Sequence, residues 1–244
     1  MGSAFPTTQW SVVLAARAST STEARAALES LCAAYWYPLY AYVRGRERDA
    51  EAARDLTQAF FADLLGRDFL RSVDRSKGRF RSFLLASLKN FLSHERERAR
   101  ALKRGGGMVP LSLDAEDAEG RFEREPVDSL TPEQIFERRW GLTLMERTME
   151  RLAEASQGGA QPAQFERLQP YLTGAEPSIP YRQVAADLGV SEGAIKTAVY
   201  RLRREYGRLL RQEIAATIAD PDEIDDELRH LLTAVRPWAE DERA

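Results

Sequence analysis

One cysteine and two histidines among 244 residues leave metal or thiol chemistry little to work with. Cys32 has no partner for an internal disulfide, which points to a reducing compartment. With His94 and His230 it falls short of a tetrahedral zinc site. Neither histidine stands in the setting that a Ser-His-Asp nucleophile needs, and no glycine-rich phosphate loop or paired-carboxylate motif occurs. Catalysis, a cofactor and a metal are therefore not expected. Long apolar runs are missing as well: the longest uncharged stretches, Trp10 to Ala16 and Leu31 to Val43, are shorter than the roughly 20 residues of a membrane helix. Met1 to Thr8 lacks the basic start and apolar core of a secretion signal, so a cytoplasmic protein without membrane insertion is expected. Strand signals are also scarce. No set of alternating β-branched runs bounded by turn dipeptides is found, which leaves an all-α fold.

What is present is helical periodicity and segregated charge. With 43% hydrophobic and 30% charged residues, the chain is too apolar for wholesale disorder and long enough for two small domains. The net charge of −3 hides an uneven distribution. Lys77 to Arg104 holds nine Lys/Arg against two Glu, Gly105 to Pro132 two Arg against seven acids, and Ala216 to Ala244 three Arg against nine acids. A basic block flanked by acidic appendages suits a nucleic-acid binder, although charge runs can also be solvated helix faces.

Apolar spacing predicts helices from Thr8 to Arg17, from Ser21 or Thr22 through Val43, and from Asp49 to Leu65. After a connector from Gly66 to Gly78, another helix runs from Phe80 to Lys103, apolar at first and densely charged after Ser93. Gly105-Gly106-Gly107 stops it, and the acidic segment to 131 reads as a flexible linker. Helix resumes at Thr131-Pro132-Glu133, a capping residue followed by proline at the first helical position, and continues to about Glu154. A shorter helix covers Gln164 to Leu172, and Asp220-Pro221 opens an amphipathic acidic tail helix. These elements predict two helical domains joined by a flexible acidic linker: 1–104, a linker at 105–131, a second domain at 132–215 and an acidic extension at 216–244.

The strongest local signal lies between Tyr181 and Arg204. Val184, Ala185 and Leu188 give a short apolar face, Gly189 can take the positive φ that ends a helix, and Ser191 caps the next one. Ile195, Val199 and Leu202 point inward on that second helix, leaving Glu192, Lys196, Thr197, Tyr200, Arg201, Arg203 and Arg204 outward. This is the plan of a helix-turn-helix, whose second helix enters the major groove. Its Lys and Arg can bridge phosphates or read guanine edges, while Thr197 and Ala194 suit close contacts with bases. The expected duplex-binding set is Ser191, Glu192, Ala194, Lys196, Thr197, Tyr200, Arg201, Arg203 and Arg204.

Three blocks in order carry a resemblance: Asp55-Leu56-Thr57-Gln58-Ala59-Phe60-Phe61, Gly78-Arg79-Phe80-Arg81-Ser82-Phe83-Leu84-Leu85 with Asn90, and Tyr181 to Arg204. With these the chain resembles bacterial RNA polymerase sigma factors of the extracytoplasmic-function class, over roughly residues 23 to 104 and 132 to 213. The resemblance implies a non-catalytic role in which the first domain docks on core RNA polymerase and captures the opening minus-ten promoter element. The helix-turn-helix would then read the minus-thirty-five element. Trapping an unstacked base needs a pocket with cationic and aromatic neighbours. Arg79, Arg81, Lys89, Asn90 and Arg96 are the expected minus-ten contacts, whereas spacing assigns Phe80, Phe83 and Phe91 to packing.

Docking is implied for Arg54, Asp55, Gln58 and Phe61. The family is acidic around this motif, and here Arg54 and Ala59 stand at those places. A phosphate on Thr57 would add about −1.5 to −2 charges between them, which implies a Ser/Thr kinase as a partner. The family is also often held by an inhibitor protein. The tail helix, 221–235, is expected to dock on the chain's own basic surface or on a partner. Two other readings stay open: a helix-turn-helix regulator that binds duplex DNA without polymerase, and a helical adaptor that binds proteins.

Overall fold

The computed structural model describes residues 34–47, 49–64, 78–101, 116–123, 130–157, 162–172, 179–218 and 220–236, and among these all regular structure is helical. The expected helix from Thr8 to Arg17, the connector at 66–77 and the glycine stop at 105–107 lie outside the described residues. Two compact units result: one from Met1–Thr143 with Ile214–Ala244, the other from Leu144–Glu213.

The first unit is built on α1 (34–44), α2 (Ala50–Leu64), α3 (Phe80–Ala101), α4 (Glu116–Glu123) and the opening turns of α5 (Pro132–Gln157). Tyr35, Leu39, Tyr40, Tyr42 and Val43 of α1 are each 1% exposed or less, so this helix is buried all round, as a central element must be. Phe60, Phe61 and Leu64 of α2 and Phe80, Leu84 and Leu88 of α3 are buried with it. Phe80 meets Tyr35 edge-on at 5.4 Å and Phe91 meets Phe60 at 5.8 Å, both favoured aromatic geometries. These rings are packing groups, as their spacing predicts.

Local caps set the helix starts. Asp49 Oδ2 accepts from the Ala52 N–H at 2.8 Å ahead of α2. At α5 the Thr131 hydroxyl accepts from the Gln134 N–H at 3.2 Å while Gln134 Oε1 accepts from the Thr131 N–H at 2.9 Å. That reciprocal pair is a capping box, with Pro132 at the first helical position where its missing N–H is not needed.

Two features of the expected organisation are corrected. The segment 105–131 contains α4, which is held in place rather than running free as linker. Phe122 packs with Ala41 and Ile135, and Glu119 accepts a fork from Arg44 (Nη2 at 2.8 Å, Nε at 3.0 Å) and a hydrogen bond from the Tyr40 hydroxyl. Burial pushes the Glu119 carboxyl up, but Arg44 and Tyr40 outweigh it and hold it below its ordinary value. The second correction concerns the boundary expected at 132. The division falls between Thr143 and Leu144, because the first turns of α5 bury Ile135, Phe136 and Trp140 in the first unit.

The tail also belongs to the first unit. A 3-10 turn at Pro221–Glu223 leads into α9 (Ile224–Ala234), where Glu227 and Leu231 are fully buried.

The second unit holds α6 (Pro162–Leu168), a 3-10 turn at Gln169–Tyr171, α7 (Tyr181–Asp187) and most of α8 (Glu192–Thr217). Leu168, Tyr171, Val184, Ala185, Ile195 and Val199 form one cluster, and Leu152, Phe165 and Leu209 a second. Tyr171 stacks on Tyr181 with centroids 4.7 Å apart.

Candidate nucleic-acid interface

Four residues, Leu188 to Ser191, join α7 to α8. The Val190 N–H bonds the Ala185 carbonyl at 3.0 Å and the Gly189 N–H bonds that of Ala186 at 3.3 Å, with Gly189 at φ 67°. This is a Schellman close, which requires the left-handed backbone that glycine adopts without strain. Nothing lies within 4 Å of an added Cβ at Gly189, so substitution there is a backbone effect alone. Gly189→Ala is expected to cost about 1–2 kcal/mol and Gly189→Asn less, measured by urea unfolding of the parent and both variants.

On the far side of the turn Ser191 Oγ accepts from the Ala194 N–H at 3.1 Å, so this residue starts the helix. Ile195 and Val199 turn inward with Leu202 partly buried, as the spacing predicts. Glu192, Ala194, Lys196, Thr197, Tyr200, Arg201 and Arg204 are exposed. Tyr200 is 66% exposed, an unusual place for so large a ring. Lys196 pairs with Glu192 one turn back at 2.7 Å, and that hydrogen bond raises its pKa. The Thr197 hydroxyl donates to the Gly193 carbonyl at 2.9 Å and keeps its lone pairs for an outside donor.

Arg203 is exposed like the rest of the expected set, but it differs from Arg201 and Arg204 in having a partner within its own unit. Its guanidinium donates to the Tyr171 carbonyl from Nε at 3.0 Å and from Nη2 at 2.7 Å. It ties α8 to the 3-10 turn, which is a positioning role. Among the described residues Arg201 and Arg204 meet no carboxylate, and they are the cations of this face left open to a phosphate.

The expected minus-ten contacts are arranged otherwise. Arg81 is 3% exposed: Nε and Nη2 donate to the Glu227 carboxylate at 2.7 and 3.1 Å, and Nη1 donates to Glu137. Its guanidinium lies 4.8 Å from the centre of the Trp140 ring. Burial alone would lower the pKa of Arg81, yet its hydrogen bond to Glu227 and the charge of Glu137 raise it. Direct DNA contact by Arg81 is therefore corrected, since an acid pair already surrounds it. Arg79 reaches Glu227 at 3.1 Å and Glu223 at 3.6 Å, Lys89 reaches Glu133 at 2.8 Å, and Arg96 reaches Glu47 at 2.8 Å. Asn90 is exposed on α3.

The expected docking motif on α2 is half turned inward. Asp55 is exposed and Gln58 half-buried, but Phe61 is fully buried in ring contacts with Trp36 and Phe60. Arg54 is half-buried, and its charge acts on Glu119 and Tyr40. Thr57 has no exposed surface, and its hydroxyl donates to the Ala53 carbonyl at 2.7 Å. A kinase cannot reach such a hydroxyl, so phosphorylation of Thr57 is corrected. Ala59 is buried too, which makes its place unsuitable for a surface carboxylate.

Sequence reasoning missed Glu227, Glu137 and Glu119, the acids that pair with buried or half-buried arginines. Their only sequence signal is a carboxylate on the apolar side of an amphipathic helix, as Glu227 is between Ile224 and Leu231. Among the described residues no group of His, Cys, Asp and Glu is placed to hold a metal ion, and no helix is long and apolar enough to cross a membrane. No family model, curated protein or solved structure matches the chain.

Proposed function

We propose that the chain binds duplex promoter DNA through α8 and acts as a non-catalytic, sigma-like subunit that directs core RNA polymerase to initiate. The observation that carries this reading is the exposed face of Lys196, Thr197, Tyr200, Arg201 and Arg204 on a helix entered by a tight, capped turn. Such a helix places cations for phosphates and short polar groups for base edges on one side. Core RNA polymerase and promoter DNA are the partners of this reading, and an inhibitor protein is compatible with it.

A second reading, a duplex-binding regulator that never joins polymerase, is favoured by one observation. Arg79, Arg81, Lys89 and Arg96 each already have an acidic partner in their own unit, which leaves α3 little free charge for a separated strand. Run-off transcription separates the two. Purified core polymerase should yield a specific transcript from the promoter region upstream of this gene only when the chain is added. Duplex binding without any transcript would favour the regulator, and neither activity would remove both readings.

A further inference from the structure

Tyr37, Tyr40, Ala41 and Arg44 stand at i, i+3, i+4 and i+7 of α1 and so share one face of that helix. α4 lies along this face. The Arg44 guanidinium forks onto the Glu119 carboxylate, with Nη2 at 2.8 Å, and the Tyr40 hydroxyl donates to the same group. One turn on, Phe122 packs with Ala41 and with Ile135 of α5, and the Arg44 guanidinium lies 5.2 Å from the centre of its ring. Arg121 lies 4.9 Å from the centre of the Tyr37 ring. Gly45 shapes the far wall: a Cβ there would stand 3.1 Å from Ile135 Cδ1, so its absence lets α5 close in. Burial and the neighbouring Glu119 push the Tyr40 pKa up, which keeps that hydroxyl a donor.

α4 has little helical stability of its own. Eight residues are fewer than an isolated helix needs in water, and Gly120 in their middle costs about 1 kcal/mol against alanine. Its shape therefore comes from the seat, which selects an acid and, three residues on, a phenylalanine. Such a fit of a short helix into a groove is a recurring mode of peptide recognition. The polar anchor is also exchangeable. The Arg44 and Glu119 side chains are each 20% exposed, so parting them leaves no dry, unpaired charge.

We propose that this face of α1, closed by Ile135, is a docking groove for a helical segment of a partner protein, and that α4 is its in-chain occupant. The partner segment is acidic and carries a carboxylate and a phenylalanine one turn apart, in the order of Glu119 and Phe122. Charge complementarity selects it. Arg44 contacts the acid and the charge of Arg54 also acts on it, while Ala41 and Ile135 accept the ring. Because α4 is part of the same chain, it competes at an effective concentration on the order of millimolar. An outside helix therefore binds with its intrinsic affinity reduced by the fraction of chains in which α4 has left the groove. This surface is separate from the α8 face and does not rest on reading the chain as a DNA binder.

The test uses the full chain with Glu119→Ala and Phe122→Ala, which removes both anchors and leaves the groove intact. Its fold is checked by circular dichroism, and Glu119→Gln alone serves as the opened chain if the double variant has lost helix. The probe is a fluorescein-labelled peptide of this chain's own residues 113–126, followed by anisotropy. The opened chain should bind it roughly ten-fold more tightly than the parent, whose α4 already fills the groove. Arg44→Ala in the opened chain should weaken binding roughly 10- to 100-fold, the loss of hydrogen bonds to a charged group. No binding by the opened chain, or binding that Arg44→Ala leaves unchanged, would overturn the proposal. Equal binding of a scrambled peptide of the same composition would also overturn it, by reducing the contact to charge attraction. Equal affinity of parent and opened chain would overturn α4 as the occupant. Sedimentation of the parent should show a monomer; a dimer that Phe122→Ala dissolves would make α4 of a second copy the occupant and overturn the partner protein.

Discussion

Arg81→Met should lower the unfolding free energy of the first unit by about 3–5 kcal/mol, one of the largest effects expected of any single substitution in the chain. Removing the guanidinium strands Glu227, which has no exposed surface, with Arg79 as its remaining ion-pair partner. A carboxylate in that position keeps only one of its two cationic partners and is an under-compensated buried charge, worse than the loss of an ordinary hydrogen bond. Adding Glu227→Leu should recover most of the loss, since a buried pair replaced by apolar groups of similar volume is often neutral. A double-mutant cycle in urea, followed by tryptophan fluorescence to which Trp140 beneath Arg81 contributes, gives the coupling energy. A cost below about 1 kcal/mol for Arg81→Met would mean that Glu227 reaches water without Arg81.

Much of the architecture was legible in the sequence, and the reasons are local. Gly189, Ser191 and the step from Ile195 to Val199 each have one physical meaning, and together they place the turn and the buried face of α8. Thr131 with Gln134 marks the start of α5 in the same way. The failures come from side chains whose role depends on distant partners. Arg81 reads as a surface cation because its acids lie at Glu137 and Glu227, on other helices. Arg203 reads as a groove residue because its acceptor is a backbone carbonyl, that of Tyr171, which has no sequence signature. Thr57 reads as surface because its neighbours Asp55 and Gln58 are polar, yet it falls on the side of α2 that also carries Ala53, Phe60 and Leu64. Composition made 105–131 look like plain linker, and a single pair, Glu119 and Phe122, was enough to anchor α4.

The arginines of α8 offer the second large effect, and they divide sharply. Arg201→Ala with Arg204→Ala should weaken duplex binding and reduce the slope of log affinity against log salt by about two, about one for each phosphate no longer neutralised. Stability should hardly change, because among the described residues neither side chain meets a carboxylate. If one of the pair reads a base instead, its loss falls on a single promoter position, at about 1–3 kcal/mol, and the slope drops by about one. Arg203→Ala should behave in the opposite manner. It leaves the carbonyl of Tyr171, a residue 2% exposed, without its donors, costing about 1–3 kcal/mol of stability, while the salt slope of the folded protein stays at the parent value. Measuring both variants at several salt concentrations and in urea separates these roles. A parent-like slope and affinity for the double variant would remove α8 as the DNA-reading helix. A reduced slope for Arg203→Ala would show that its guanidinium leaves Tyr171 for a phosphate when DNA arrives, making the tie between α8 and the 3-10 turn one that binding exchanges.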